Sequence, residues 1–232
     1  MDLSKIKKIY MIGVKGVGMT MLAQFLVSKG YEVSGSDVPE TFMTDQVLKK
    51  FGIKVNQGFD AGNVPFDVDL IIYSSAYNST TNVEVAAALN GKIKALTYAE
   101  VLGELFNQMY GIAVCGSHGK TTTTAWLGYV MMRANLQPNV LVGARVEQFD
   151  GAGTYGSSDY LVIEADEYQN KLKYYNPKGI LMNNIDHDHH DFYPTLESYI
   201  SAFVDFMKKL SKKGFLVANF DDKYIASTAN VN

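Results

Sequence analysis

The chain has 232 residues, 47% hydrophobic and 19% charged, with a formal net charge of −3. That is more than one typical domain with enough apolar material for packed cores, which argues against disorder; the slight acidity gives no support to a general nucleic-acid or membrane-surface role, which would favour a basic face. The single cysteine, Cys115, excludes an intrachain disulfide and fits a reducing compartment. Residues 1–8 are polar and lack a signal peptide's apolar region. No run approaches the roughly 18 apolar residues of a membrane span, so a soluble, cytoplasmic protein is expected.

Short apolar runs alternate with helical patterns along the chain. Residues 9–12 read as a buried strand, followed by a glycine-rich turn. Met21, Leu22, Phe25 and Leu26 then recur at helical spacing, Lys29-Gly30 ends that helix, and residues 31–33 start a second strand. A helix over 44–51, strands at 53–55 and 70–73, a helix over 82–89, a short strand near Ala95 and a helix over 98–106 continue the pattern. Such βα alternation predicts a parallel sheet covered by helices. Residues 107–110 read as a junction, because the pattern restarts with a strand over 111–115, a second glycine-rich turn and a helix over 120–134. Apolar runs at 160–163 and 179–182, an amphipathic helix over 195–210 and a strand over 215–218 complete the series. In that last helix Leu196, Ile200, Phe203, Val204 and Met207 share the predicted apolar face. Two α/β units are expected, 1–107 and 108–232, the second cut short.

The first turn reads Gly13-Val14-Lys15-Gly16-Val17-Gly18. Glycines there let backbone approach a phosphate closely, and a helix N-terminus supplies free N–H groups and a favourable dipole. The spacing is GxxGxG rather than the GxGxxG of the dinucleotide fingerprint, which counts against a nicotinamide dehydrogenase. Asp37 ends the second strand, where a dinucleotide-binding fold puts its ribose-binding acid. The alternative is a tight strand–helix turn with Asp37 capping a loop.

The second turn, Gly116-Ser117-His118-Gly119-Lys120-Thr121-Thr122, follows a strand and opens a helix, which is the context a P-loop requires. Lys120 suits β- and γ-phosphate charge, the Thr121 hydroxyl suits Mg²⁺, and amides around Gly119 suit phosphate oxygens. The usual leading glycine is replaced by Val114, making this a shortened variant. Downstream, Glu164-Ala165-Asp166-Glu167 ends a strand at the sheet edge where α/β folds bind ligands, and Mg²⁺ prefers oxygen ligands such as Glu164. All four histidines, His118, His187, His189 and His190, lie in the P-loop or in the segment Asn183-Asn184-Ile185-Asp186-His187-Asp188-His189-His190-Asp191. Such a cluster admits a transition metal, but the P-loop already implies Mg²⁺ and no cysteine is adjacent in sequence to a zinc-type set.

Together these segments resemble the Mur ligase family, and within it most closely the members that add L-alanine. The resemblance rests on residues 12–19, Ser34-Gly35-Ser36-Asp37, Ser74-Ser75-Ala76, residues 116–124, 164–167 and 184–193. It implies a Rossmann-like parallel-sheet N-terminal domain that binds a UDP-sugar, followed by a truncated P-loop NTPase-like α/β central domain that binds ATP. It also implies a reaction. ATP phosphorylates the lactyl carboxylate of UDP-N-acetylmuramate, the amine of L-alanine attacks the acyl phosphate, and an amide remains in the path of peptidoglycan synthesis. By the same resemblance Thr121 and Glu164 would bind Mg²⁺, and His189 a second Mg²⁺. Asn184 would line that site with Gly116, Ser117, His118, Gly119, Lys120, Thr121 and Thr122. Lys120, Glu164 and His189 would carry the catalysis. Gly13, Gly16, Val17, Gly18, Ser74 and Ser75 would bind the UDP-sugar, with Asp37 near the uridine.

The chain departs from the family pattern at Asn82-Val83-Glu84, Tyr98-Ala99-Glu100, Gly143-Ala144 and Glu167-Tyr168-Gln169. Glu-Tyr at the last position is similar to the related ligase that attaches a recycled tripeptide to UDP-N-acetylmuramate. Several relatives carry a carbamylated lysine in the helix after Asp-His, and the matching region near Phe203-Val204 has none, as in the alanine-adding type. A complete family member has three domains, so the C-terminal ligase domain is expected to be absent and the chain inactive alone. A non-catalytic UDP-sugar-binding fragment is the remaining alternative.

Overall fold

The computed structural model describes residues 5–149 and 151–228. Residues 1–4, Asp150 and residues 229–232, which include the polar start and the end of the sequence reading, lie outside the described residues. The chain forms two compact units, Met1–Leu102 and Gly103–Asn232.

The first unit is a parallel sheet built from β1 (Lys8–Ile12), β2 (Glu32–Asp37), β3 (Lys54–Gln57), β4 (Leu70–Tyr73) and β5 (Ala95–Thr97), in the order β3-β2-β1-β4-β5. Ile9 pairs with Val33 on one side and Leu70 on the other. Central β1 is therefore hydrogen-bonded along both edges, and the burial of Ile9, Tyr10, Met11 and Ile12 shows that both its faces are covered too. This is why β1 reads as an unbroken apolar run rather than an alternating one. α1 (Val17–Ser28) buries Met21, Leu22, Phe25 and Leu26, as its spacing predicts. Gly30, at φ +89°, ends it in the left-handed region. α2 (Thr44–Lys50), α3 (Val83–Asn90) and α4 (Tyr98–Gln108) complete the βα alternation. The chain leaves β1 toward β2 and β3 on one side and returns to β4 and β5 on the other. The carboxyl ends of β1 and β4 therefore flank a switch point, where open α/β sheets bind ligands.

The second unit holds β6 (Tyr110–Cys115), β7 (Asn139–Val146), β8 (Gly151–Tyr155), β9 (Tyr160–Glu164), β10 (Gly179–Met182) and β11 (Phe215–Ala218), in the order β11-β10-β6-β9-β7-β8. All pairings are parallel except β7–β8. α5 (Lys120–Arg133), α6 (Leu196–Met207) and α7 (Lys223–Thr228) accompany them. The alternation does not announce β7, β8 or α7. β8 reads Gly-Ala-Gly-Thr-Tyr, too glycine-rich for a strand signal, and β7 is interrupted by a register shift between Leu141 and Val146.

The apolar face expected of α6 is corrected by rotation about the helix axis. Its buried residues are Tyr199, Phe203 and Phe206, while Leu196, Ile200, Val204 and Met207 are half-buried. The tyrosine ring counts as apolar volume once its hydroxyl finds a partner inside. Thr195 and Ser198 close a capping box at the start of this helix.

One buried carboxylate ties the first sheet together. Glu84, near the start of α3, is fully buried. It accepts hydrogen bonds from the Asp60 backbone N–H at 3.0 Å, Asn63 Nδ2 at 2.8 Å, the Tyr10 hydroxyl at 3.3 Å and the Ser36 hydroxyl. These donors come from β1, β2 and the loop after β3. Glu84→Ala leaves them unsatisfied in a dry environment and should cost about 2–4 kcal/mol. The expected result is a lower urea midpoint with early loss of amide-exchange protection in β1.

Candidate functional site

Two glycine turns stand at the carboxyl ends of the two sheets. In the first unit Gly13 has φ +80°, and a Cβ there would meet the Tyr77 ring at 2.8 Å and Ser74 Cβ at 3.0 Å. Gly18 is closely packed, since a Cβ would meet the Tyr98 ring at 3.3 Å. Gly16 is different: an added Cβ would meet nothing closer than the Gly13 carbonyl at 3.7 Å. Gly16 is the N-cap of α1, which has no side-chain cap and no acidic residue in its first turn. An uncapped, uncharged helix start is suited to an anion.

The structure gives Asp37 the loop-capping role that stood as the alternative. It is buried, its Oδ2 accepts from the Lys15 N–H at 2.6 Å and its Oδ1 from the Val38 N–H at 2.8 Å. Lys15 also faces inward. Its Nζ donates to the carbonyls of Val38 and Glu40, each at 2.8 Å, and to Gln57 Oε1, and lies 3.3 Å from Asp45. Of the remaining first-unit candidates, Ser74 caps its own turn by accepting from the Ala76 N–H, while Val17 and Ser75 are exposed.

In the second unit the turn from β6 into α5 brings most of the expected residues together. Gly116 has φ +127°, and a Cβ would meet the Asn184 carbonyl oxygen at 2.8 Å. Gly119 caps α5 at φ 76°, again with no side-chain cap and no acid in the first turn. The Lys120 ammonium donates to the Gly116 carbonyl at 2.6 Å, the Ser117 carbonyl at 3.2 Å and Glu167 Oε2 at 3.2 Å. Thr121 donates its hydroxyl to Glu164 Oε1 at 2.8 Å, and Glu164 Oε2 accepts from the Gly143 N–H at 3.0 Å. The expected pair of hydroxyl and carboxylate is thus formed between α5 and β9.

The loop itself is held from outside. Asn184 Oδ1 accepts from the His118 N–H at 2.8 Å, and its Nδ2 donates to the His118 carbonyl at 3.0 Å. Ser117 Oγ accepts from the Asp186 N–H at 2.8 Å and lies 2.8 Å from the Tyr199 hydroxyl. His118 pairs with Asp186 at 3.1 Å in an exposed position. His187 Nε2 lies 2.8 Å from the Tyr193 carbonyl, and its ring meets that of His190 at 4.2 Å. Thr122 lines a groove with Thr121, Trp126 and Arg145.

His189, at φ 53°, is held by backbone rather than by a helix. Its N–H donates to the Asp188 carboxylate, which that bond holds below the usual carboxylate range. His189 Nε2 lies 3.6 Å from Glu167 Oε1, and Asp166, Glu167 and His189 each offer a ligand atom within 4.8 Å of the others. Two carboxylates and an imidazole suit a divalent cation, and the Thr121 hydroxyl with Glu164 offers the hard oxygen donors that Mg²⁺ prefers.

The sequence reading does not single out Glu167 and Tyr199. Glu167 is fully buried, and Tyr199 donates its hydroxyl to Glu167 Oε1 at 2.8 Å. Burial pushes the Tyr199 phenol well above its ordinary range, so it stays a donor. The acidic run holds a signal for Glu167; Tyr199 carries none beyond its place on α6. Cys115, under the turn, is fully buried, and burial pushes its thiol up, so it is no nucleophile.

The chain is similar to known proteins over both units. A profile described as "Mur ligase family, catalytic domain" matches residues 8–110, and one described as "Mur ligase middle domain" matches residues 114–232. The chain is 40% identical over 226 residues to the UDP-N-acetylmuramate–L-alanine ligase of Borrelia garinii subsp. bavariensis, covering 96% of this chain and 48% of the relative. It is 40% identical over 234 residues to the Clostridium kluyveri protein of the same name, covering 100% of this chain and 50% of the relative. The chain therefore spans about half the length of the curated relatives it matches. Among solved structures it is similar to the UDP-N-acetylmuramate:L-alanyl-gamma-D-glutamyl-meso-diaminopimelate ligase of Neisseria meningitides. There the TM-score is 0.87 at 28% identity over 98% of this chain and 75% of that one. The UDP-N-acetylmuramate–alanine ligase of Thermotoga maritima gives 0.81 at 26% identity, over 95% and 51%.

The glycines separate packing from ligand requirements. Gly116→Ala meets both a left-handed φ and the Asn184 backbone. It should lower stability by about 2 kcal/mol or more, whereas Gly16→Ala should stay within about 0.5 kcal/mol of the parent in a denaturation series. Cys115 should resist a thiol reagent in the native protein at mildly alkaline pH and react fully once the chain is unfolded. Fast native labelling would contradict its burial.

Proposed function

The chain belongs to the Mur ligase family, and on that premise we propose that it carries the UDP-sugar site and the ATP site of a peptidoglycan-precursor ligase. That ligase joins L-alanine to the carboxylate of UDP-N-acetylmuramate. The observation that carries the reading is the second turn: Lys120 and the Thr121–Glu164 pair stand at the open N-terminus of α5, at the carboxyl ends of parallel strands. There the α5 amides and Lys120 bind and orient the β- and γ-phosphates of ATP. Mg²⁺, held by Thr121 and Glu164, supplies charge neutralisation on the phosphates. His189 with Glu167 and Asp166 forms the second cation position. In the first unit the uncapped start of α1 at Gly16 receives the UDP pyrophosphate, with Val17, Gly18, Ser74 and Ser75 around it and Asp37 fixing the turn.

In the proposed reaction the lactyl carboxylate attacks the γ-phosphorus and ADP leaves. The L-alanine amine then displaces phosphate and gives up a proton as the amide forms. Phosphorylation converts a poor leaving oxygen into a good one, and positioning with charge stabilisation accounts for most of the acceleration. A cytoplasmic place fits the nucleotide substrates, and among the described residues no helix is long and apolar enough to cross a membrane. The 232 residues by themselves are proposed to bind both nucleotides without forming the amide at a useful rate.

A second reading has specific support. The likeness to the Neisseria meningitides ligase and the Glu167-Tyr168 pair support a peptide as the alternative added group. The two differ in which amine, L-alanine or a peptide, stimulates ADP release.

The test is calorimetric titration of the chain with UDP-N-acetylmuramate, then with ATP and Mg²⁺. Both should bind. Gly16→Ala should weaken the sugar nucleotide and Lys120→Ala should weaken ATP, each by roughly tenfold. A folded chain that binds neither ligand overturns the reading. ADP release dependent on UDP-N-acetylmuramate and L-alanine from this chain alone would overturn the proposal that it does not turn over.

A further inference from the structure

The Lys120 ammonium has three N–H donors, and the structure engages all of them. They go to the Gly116 carbonyl, the Ser117 carbonyl and Glu167 Oε2. With these three partners no donor is left for a phosphate, so Lys120 must exchange at least one of them to bind an anion. The two carbonyls belong to the turn that cradles the anion. Glu167 comes from beyond β9, and it is the partner whose charge competes with a phosphate.

Glu167 is poorly placed to be left alone. Its side chain has no exposure at all, and a buried carboxylate stripped of its cation is strongly disfavoured. Its other oxygen is already bonded to the Tyr199 hydroxyl, which also touches Ser117 in the same turn. Beside it stand His189, 3.6 Å from Oε1, and Asp166, which completes a three-ligand set and is itself paired with Lys171 at 2.6 Å. A cation arriving there would replace the charge that Lys120 withdraws.

We propose that Glu167 is a positioning residue that holds Lys120 against the turn and exchanges it for a divalent cation when nucleotide and cation bind. One ammonium leaves Glu167 and one divalent cation arrives between Glu167, Asp166 and His189, and the Lys171 ammonium, which holds Asp166 at 2.6 Å, turns out to solvent as Asp166 becomes a ligand. The proposal rests on the nucleotide reading of the second turn for its purpose, but the exchange itself needs no nucleotide.

Two measurements on the full chain separate the possibilities. The first is the rate at which an amine-reactive acylating reagent labels Lys120, followed by peptide mass spectrometry, with and without millimolar Mg²⁺. Mg²⁺ should raise labelling in the parent, and Glu167→Gln should label roughly five- to tenfold faster whether or not Mg²⁺ is present. Glu167→Asp, which keeps the charge, should restore the Mg²⁺ response, and it serves as the test variant if the glutamine variant does not fold. The second is ATP affinity with chelator and with Mg²⁺. Glu167→Gln should bind free ATP more tightly than the parent, having lost a competing anion, yet gain less from Mg²⁺. A role in folding alone would weaken binding under both conditions. Equal Lys120 labelling in the parent and the folded Glu167→Gln variant, or no response to Mg²⁺ in the parent, overturns the exchange. If the labelling pattern holds but the parent binds no ATP, the exchange stands and the nucleotide reading falls.

Discussion

A turn that binds an anion through backbone amides must leave those amides unpaired, so it cannot be stabilised by the caps that normally begin a helix. Both glycine turns have the form that this constraint imposes. α1 and α5 start without side-chain caps. The turns are instead gripped one or two residues earlier by side chains from neighbouring segments. Asp37 takes the Lys15 N–H in the first unit. Asn184 takes both the N–H and the carbonyl of His118 in the second. Residues that look like ligand contacts from their place at the sheet edge thus act one step back, holding the backbone that would make the contact. The cost of leaving helix-start amides open is met by rigid side-chain bonds from outside, at net gains of about 1 kcal/mol for neutral bonds and more for Asp37, whose acceptor is charged.

The two lysines of the two turns show how little a residue type says without its surroundings. Lys15 is 4% exposed and tied to two carbonyls, a glutamine oxygen and Asp45. It fastens the turn to the segment between β2 and α2. Lys120 has a similar list of partners but sits where its side chain remains 14% exposed. One lysine is a strut and the other is a movable charge. The difference lies in what surrounds them: Lys15 is enclosed by loops of its own sheet, whereas Lys120 leans on a carboxylate that has a second cation ligand beside it.

Much of this was legible in the sequence. The alternation of apolar runs marks β1, β4, β6, β9 and β10, because strands buried on both faces must be apolar throughout, and the glycine turns between strand and helix mark where phosphates would bind. The pairing of Thr121 with Glu164 follows from P-loop chemistry and is formed in the fold. Less was legible where one residue serves two demands. Tyr199 is core volume to α6 and a hydroxyl to Glu167, and a pattern that scores only apolarity rotates the helix face away from it. The loop-capping role of Asp37 was legible only as an alternative, and that of Asn184 not at all, because both depend on contacts between segments far apart in sequence.

The edge of the second sheet shows how a structurally weak element can matter to the site. β7 and β8 are the antiparallel pair that no alternation pattern reveals, and β7 shifts register after Leu141. That shift brings the Gly143 N–H to 3.0 Å from Glu164 Oε2. A Cβ at Gly143 would stand 2.9 Å from the same oxygen, so any side chain there would push the carboxylate aside. Glu164 is therefore aimed by two contacts, one oxygen toward Thr121 and the other toward a bulged strand that must carry glycine. A carboxylate on a free rotamer would have to be ordered by the cation it binds, and affinity would fall accordingly. With Gly143 and Thr121 holding it, the orientation exists before any ion arrives. The irregular strand is thus a determinant of the oxygen geometry, and its glycine is required by the carboxylate rather than by the strand.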